Sequence, residues 1–199
     1  MSNTKKIRIA INGVGRIGRT LFRVLHERDD FELVALNDIA PASSLAYLLK
    51  YDTVMGRFPG TITLEGTTLS TEKQTCEILS ERDPEKLPWK EMNIDLVVEA
   101  TGIFRSKEGC SKHLNAGAKK VLLTVPAKDE IDATIVMGVN DHLLHGDERI
   151  VSNASCTTNC LAPIAKILND EFGIETGFMT TVHAYTNDQR LADYAHKDL

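Results

Sequence analysis

Lys6-Ile-Arg-Ile-Ala-Ile-Asn-Gly-Val-Gly-Arg-Ile-Gly18 decides the fold. Residues 6–11 are a short isoleucine-rich run, the composition of a strand buried on at least one face. The next seven residues hold the pattern G-x-G-x-x-G, and a helical periodicity starts at once, with Ile17, Leu21, Val24 and Leu25 expected on one face and Arg19, Arg23 and Glu27 outward. Glycines between a strand and a helix are the context in which this pattern binds a dinucleotide. Gly13 permits the tight turn, Gly15 lets a pyrophosphate approach the backbone, and Gly18 lets helix and strand pack closely. The helix N-terminus supplies free N–H groups and partial positive charge for the phosphates.

Working outward, a second buried strand at 32–36 ends on Asn37 and Asp38. Asp38 falls about twenty residues beyond Gly18, where a carboxylate accepts hydrogen bonds from an adenosine ribose 2′-OH and repels a 2′-phosphate. That arrangement points to NAD rather than NADP. A helix at 43–49, capped by Ser43 or Ser44, leads to short alternating pieces at 61–64, 67–70 and 76–79 that read as a small antiparallel excursion. A helical turn at 85–91 carries the only tryptophan, Trp89. The strand at 94–99 ends at Ala100-Thr-Gly102, small residues at a carboxyl end, where ligands lie in an open parallel sheet. A helix at 107–116 and strands at 121–125, 134–139 and 149–151 complete a doubly wound, mostly parallel α/β sheet of the Rossmann type.

Beyond the sheet, Ile150-Val-Ser-Asn-Ala-Ser-Cys-Thr-Thr-Asn-Cys160 runs from an apolar strand into a helix and puts Cys156 at the join. The unpaired N–H groups and partial charge of a helix start favour a thiolate over a thiol. The helix extends to about Phe172, with Pro163 expected to kink it, and an alternating strand at 174–185 delivers His183. Cys160, one turn beyond Cys156, is expected to face the interior. A Cys156–Cys160 disulfide is the lesser reading, because four-residue helical spacing strains the bridge.

Composition bounds the function classes. The chain has 199 residues, 42% of them hydrophobic and 26% charged, with a net charge of −5 that argues against bulk nucleic-acid binding. There is no apolar run of about 18 residues and no charged-then-apolar leader at Met1, so a cytoplasmic protein without a membrane span is the expectation. The four cysteines show no metal-ligand spacing, so no metal is expected.

These stretches resemble glyceraldehyde-3-phosphate dehydrogenases along nearly the whole chain. Asn12-Gly-Val-Gly-Arg-Ile-Gly-Arg19, Glu99-Ala-Thr-Gly-Ile-Phe104, Pro126-Ala-Lys-Asp129, Ser152-Asn-Ala-Ser-Cys-Thr-Thr-Asn-Cys160 and His183-Ala-Tyr-Thr-Asn-Asp-Gln189 carry the resemblance. It implies that residues 1–154 form an NAD-binding domain and 155–199 the first helix and strand of an α+β catalytic domain. It implies Cys156 as nucleophile and His183 as its base, with Ser155, Thr157 and Thr186 holding substrate or phosphate. Asn12, Gly13, Gly15, Arg16, Ile17, Asp38, Arg82, Thr101, Gly102 and Thr124 are implied contacts to NAD. The implied partners are a triose phosphate and inorganic phosphate, within a homotetramer. The family's pattern continues well beyond Leu199, so this polypeptide alone is expected to bind NAD weakly and turn over poorly. Two alternatives stay open: an erythrose-4-phosphate dehydrogenase with the same Cys and His, and a non-catalytic nucleotide-binding module.

Overall fold

The computed structural model describes residues 5–186. In chain order these form β1 (Ile7–Asn12), α1 (Arg16–His26), β2 (Phe31–Asn37), α2 (Ala42–Lys50), β3 (Tyr51–Asp52) and β4 (Gly56–Arg57). Next come β5 (Thr63–Glu65), β6 (Thr68–Ser70), β7 (Thr75–Leu79), β8 (Leu96–Glu99) and α3 (Lys107–Asn115). Then follow β9 (Lys120–Leu123), β10 (Ala133–Thr134), β11 (Ile150–Ser152) and α4 (Cys156–Phe172).

The main sheet has the order β10-β11-β9-β8-β1-β2-β7-β6-β5. β10 through β7 run parallel, and β6 and β5 add an antiparallel edge. From β1 the chain first winds outward through β2 and β7, then returns to place β8 on the other side of β1. The strand order therefore reverses between β1 and β8, and the crevice beyond their carboxyl ends is the position where such sheets take ligands.

Alternation along β1 splits the core. Ile9 and Ile11 pack with Phe22 and Leu25 of α1 and Leu45 and Leu49 of α2 on one face. Ala10 faces the other way and, with Ala35 of β2 and Val97 of β8, makes room for Trp89. Small side chains opposite one large indole are what close packing requires. Farther along, Cys110 of α3 packs on Val121 and Leu123 of β9 and on Ile150 of β11.

Several local expectations change. The inner face of α1 is Gly18, Phe22, Leu25 and His26, while Ile17 and Val24 are half exposed. Gly18 explains the rotation: a Cβ there would lie 2.0 Å from the Gly13 carbonyl oxygen, so the helix docks on its glycine and turns Phe22 inward. α2 begins after Pro41 with no side-chain cap, and β10 is only two residues long. α4 runs through Pro163 as a single helix.

The two largest differences lie after β11. α4 buries none of its residues, so Cys160 is exposed rather than internal, and all four cysteines are free thiols. Residues 174–186 carry no ladder hydrogen bonds. Their alternation is that of a strand, but a strand needs a neighbour to pair with, and among the described residues no strand pairs with them. No described helix is long and apolar enough to cross a membrane.

Candidate active site

The glycine turn is built from backbone contacts. Gly13 has φ +96°, and a Cβ on it would lie 2.7 Å from the amide nitrogen of Thr101, so the turn rests directly on the Ala100–Thr101 peptide at the end of β8. Gly15 lies on the open side, with nothing within 4 Å of where its Cβ would be. Asp38 closes the turn from β2. Its carboxylate accepts from Val14 N at 2.8 Å and from Ala40 N at 3.0 Å, leaving lone pairs on both oxygens for a further donor. An open cradle lined by backbone N–H groups, with a carboxylate at its far side, fits a dinucleotide.

Of the other expected cofactor contacts, Thr101 and Gly102 follow β8 at the crevice, and Thr124 follows β9, donating through N and Oγ1 to the Glu99 carbonyl at 3.2 Å. Ile17 is half exposed at the start of α1. Arg82 is exposed and follows Glu81, whose backbone N and O pair with the side chain of Asn37 at the end of β2. Arg16 is engaged: its Nη1 lies 2.7 Å from both oxygens of Asp52, which also accepts from Val54 N and Met55 N. The Met55 amide, then Arg16, with the Val54 amide adding less, hold the Asp52 carboxyl well below the usual range.

Sequence reasoning did not single out the buried polar group beneath this crevice. Glu99, 1% exposed, takes Asn12 Nδ2 at 2.6 Å and His113 Nε2 at 3.0 Å on one oxygen. The other oxygen takes Thr101 N at 2.8 Å and the Thr101 hydroxyl. Trp89 Nε1 donates to His113 Nδ1 at 3.0 Å. A carboxylate closing the apolar run Leu96-Val-Val98 was the available signal.

The second half of the site is the turn into α4. Ser155 caps the helix, its Oγ accepting from Thr158 N at 2.9 Å. Before it, Ala154 is buried at φ +62°, a left-handed conformation that costs an alanine about 1–2 kcal/mol. Three contacts hold it there. Ser152 Oγ accepts from Ala154 N at 3.0 Å and donates to the Val125 carbonyl at 2.7 Å, while Asn159 Nδ2 donates to the Asn153 carbonyl at 2.7 Å. Strain clamped in this way beside one side chain is a mark of functional sites.

That side chain is Cys156. Its sulfur lies 3.2 Å from His183 Nε2 and 4.0 Å from the Thr157 hydroxyl. His183 turns its Nδ1 to the Ala184 carbonyl, which orients the ring. The imidazole holds the Cys156 thiol below its usual range against the opposing effect of desolvation, and the Thr157 hydroxyl and amide add smaller contributions in the same direction. The Ala184 carbonyl, then the Cys156 sulfur, raise the imidazole above its own. Both shifts favour the thiolate–imidazolium form of the pair over the neutral one. Ser155 and Thr157 flank the sulfur, Thr186 is exposed near the end of the described residues, and Asn187, Asp188 and Gln189 lie outside them.

A thiol beside an imidazole at a helix start is the arrangement of an activated nucleophile. A family model described as "Glyceraldehyde 3-phosphate dehydrogenase, NAD binding domain" matches residues 7–107, and its C-terminal-domain counterpart matches 155–199. The chain belongs to the glyceraldehyde 3-phosphate dehydrogenase family. Relatives bearing that enzyme's name are 53% identical over 195 residues in Streptomyces coelicolor and 53% over 194 residues in Geobacillus stearothermophilus. One from Nostoc, "Glyceraldehyde-3-phosphate dehydrogenase 2", is 56% identical over 200 residues. Each alignment covers 97% of this chain and 58% of the relative, so the chain spans less than two thirds of their length.

The thiols of this family member differ enough to be told apart. Cys76 and Cys110 are buried and pushed up to about 12, chiefly by desolvation. Iodoacetamide at pH 7 is expected to label Cys156 first and to leave Cys76 and Cys110 unmodified until unfolding, with exposed Cys160 as the control for accessibility. Peptide mapping by mass spectrometry reads the order. In His183→Ala the labelling of Cys156 should slow by about tenfold, toward a thiol only a few per cent ionised at pH 7.

Proposed function

We propose that the protein carrying this chain oxidises glyceraldehyde 3-phosphate to 1,3-bisphosphoglycerate, with NAD and inorganic phosphate. The observation that carries this reading is the Cys156 sulfur 3.2 Å from His183 Nε2 at the start of α4.

In this mechanism the Cys156 thiolate attacks the aldehyde carbon, forming a C–S bond and a thiohemiacetal whose oxygen takes the Nε2 proton of the His183 imidazolium, leaving that nitrogen free to act as base. The N–H groups at the start of α4 stabilise the negative charge on that oxygen as the bond forms. NAD, when bound, supplies the hydride acceptor. His183 Nε2 accepts the hydroxyl proton as the carbon gives up hydride, leaving a thioester on Cys156. Phosphate oxygen then attacks the thioester carbon, the C–S bond breaks, and Cys156 leaves as thiolate with an acyl phosphate as product. Ser155, Thr157 and Thr186 are assigned to substrate and phosphate oxygens.

Asn12, Gly13, Gly15, Arg16, Ile17, Asp38, Arg82, Thr101, Gly102 and Thr124 are assigned to the cofactor. Their grouping around one crevice supports the assignment. With Asp38 facing the ribose, NADP should bind at least tenfold more weakly than NAD in calorimetric titration, because a 2′-phosphate meets a carboxylate. The division at 154/155 belongs to the same proposal, supported by α4 packing none of its residues into the sheet's core. So do a homotetrameric assembly and a cytoplasmic location, which rest on family membership.

The test is NADH formation by the intact protein from glyceraldehyde 3-phosphate. Steady turnover that needs phosphate supports the reading. Turnover that continues without phosphate indicates hydrolysis of the thioester and points to erythrose 4-phosphate as substrate. No NADH under either condition overturns the enzyme reading.

A further inference from the structure

The group that the mechanism leaves unused is the buried carboxylate of Glu99. It takes four hydrogen-bond donors, and three of them belong to the two residues that flank the base of the glycine turn. Asn12 immediately precedes Gly13, and its Nδ2 is held at 2.6 Å. Thr101 provides the peptide on which Gly13 rests, and both its amide and its hydroxyl are held by the second oxygen. One side chain thus fixes both surfaces that meet at the turn. The fourth donor, His113 Nε2 at 3.0 Å, fixes the carboxylate itself. Trp89 anchors that imidazole: an indole N–H only donates, so His113 Nδ1 must accept and Nε2 must carry the proton given to Glu99. Asn12 cannot turn over either, because its Oδ1 accepts from Asn37 Nδ2 at 2.7 Å.

We propose that Glu99 is a positioning residue for the dinucleotide, holding the glycine turn and the β8 end in the register that admits the pyrophosphate. This rests on the NAD reading above. The carboxylate touches no reacting atom, so it acts on cofactor affinity and leaves the Cys156–His183 pair unaffected. The chain of donors makes the requirement for a full acceptor strict. In Glu99→Gln one oxygen becomes an NH2, which faces either Asn12 Nδ2 and His113 Nε2 or the Thr101 amide, donors in both orientations. Asn12 and His113 cannot reverse without breaking their bonds to Asn37 and Trp89, and a backbone N–H cannot reverse at all, so the turn must shift.

The experiment compares Glu99→Gln with Leu69→Ala, a cavity in the buried antiparallel edge away from the crevice. NAD affinity is measured by calorimetry and kinetics under saturating aldehyde, both on the intact protein. Glu99→Gln should raise the Kd and KM for NAD at least tenfold, keeping kcat at saturating NAD and the Cys156 alkylation rate within about threefold of wild type. Leu69→Ala should lower Tm and leave the KM for NAD unchanged. If Glu99→Gln does not yield folded protein, His113→Leu carries the test, because it removes the donor that fixes the Glu99 carboxylate without touching a residue assigned to the cofactor, with an expected loss of about fivefold for one missing hydrogen bond. Wild-type NAD affinity in either Glu99→Gln or His113→Leu overturns the proposal, as does an equal rise in KM for Leu69→Ala. A wild-type protein that ignores NAD overturns the cofactor reading and this proposal together.

Discussion

Cys156→Ser is expected to lower kcat by a factor on the order of 10⁴ or more, with the fold and NAD affinity retained. The sulfur sits at an exposed helix start with its neighbours fixed by backbone geometry, so exchanging one atom disturbs no packing. What disappears is the thiolate. A serine hydroxyl at the same place stays protonated, because one imidazole cannot ionise an alcohol at neutral pH. His183→Gln should lose about 10²–10⁴ through the missing proton acceptor. Its pH dependence is the sharper readout. In the wild type the imidazole lowers the thiol and the sulfur raises the imidazole, so alkylation of Cys156 should begin at a lower pH than for a free thiol. In His183→Gln its midpoint should move up toward the free-thiol value of about 8.5. A midpoint that does not move removes the role assigned to His183.

Gly18→Ala and Gly15→Ala should separate folding from binding. A Cβ at Gly18 would sit 2.0 Å from the Gly13 carbonyl oxygen and 3.3 Å from Ile11 Cγ2. The first of these is backbone, so α1 must lift off β1. Overpacking of this kind costs about 3 kcal/mol, or roughly 6–12 °C in Tm for a chain of this size. Gly15 has no positive φ and nothing within 4 Å, so an alanine there should leave Tm essentially unchanged. It occupies the space through which a pyrophosphate approaches the helix N-terminus, and NAD affinity should fall at least tenfold. Thermal melts and calorimetry on the two variants check both halves. An alanine at 15 that binds NAD like wild type would remove the dinucleotide from this turn.

How much was legible varied with the range of the interaction that decides it. The glycine turn, the acid after β2 and the small residues after β8 could be read directly, because each follows from backbone conformation within a few residues. The face of α1 could not. Periodicity offered Ile17, Leu21, Val24 and Leu25, and the glycine contact with β1 selected Gly18, Phe22, Leu25 and His26 instead. Cys160 is exposed for a related reason: helical spacing says which residues share a face, not whether anything covers it. The same holds for residues 174–186, whose alternation is written locally while a strand exists only through its partner.

By itself the amino-acid order determined the strand–glycine–helix unit, the parallel winding that follows from it, and the placing of Cys156 where a helix begins. These are short-range outcomes of φ/ψ limits, missing side chains and unpaired N–H groups. Only the tertiary structure decided that His183 Nε2 lies within 3.2 Å of that sulfur, that Asp52 takes Arg16, and that Glu99 gathers Asn12, Thr101 and His113 under the turn. Those partners are far apart along the chain, and their meeting depends on strand order and burial. A buried carboxylate must find donors wherever the fold brings them, and local sequence carries no record of which ones arrive.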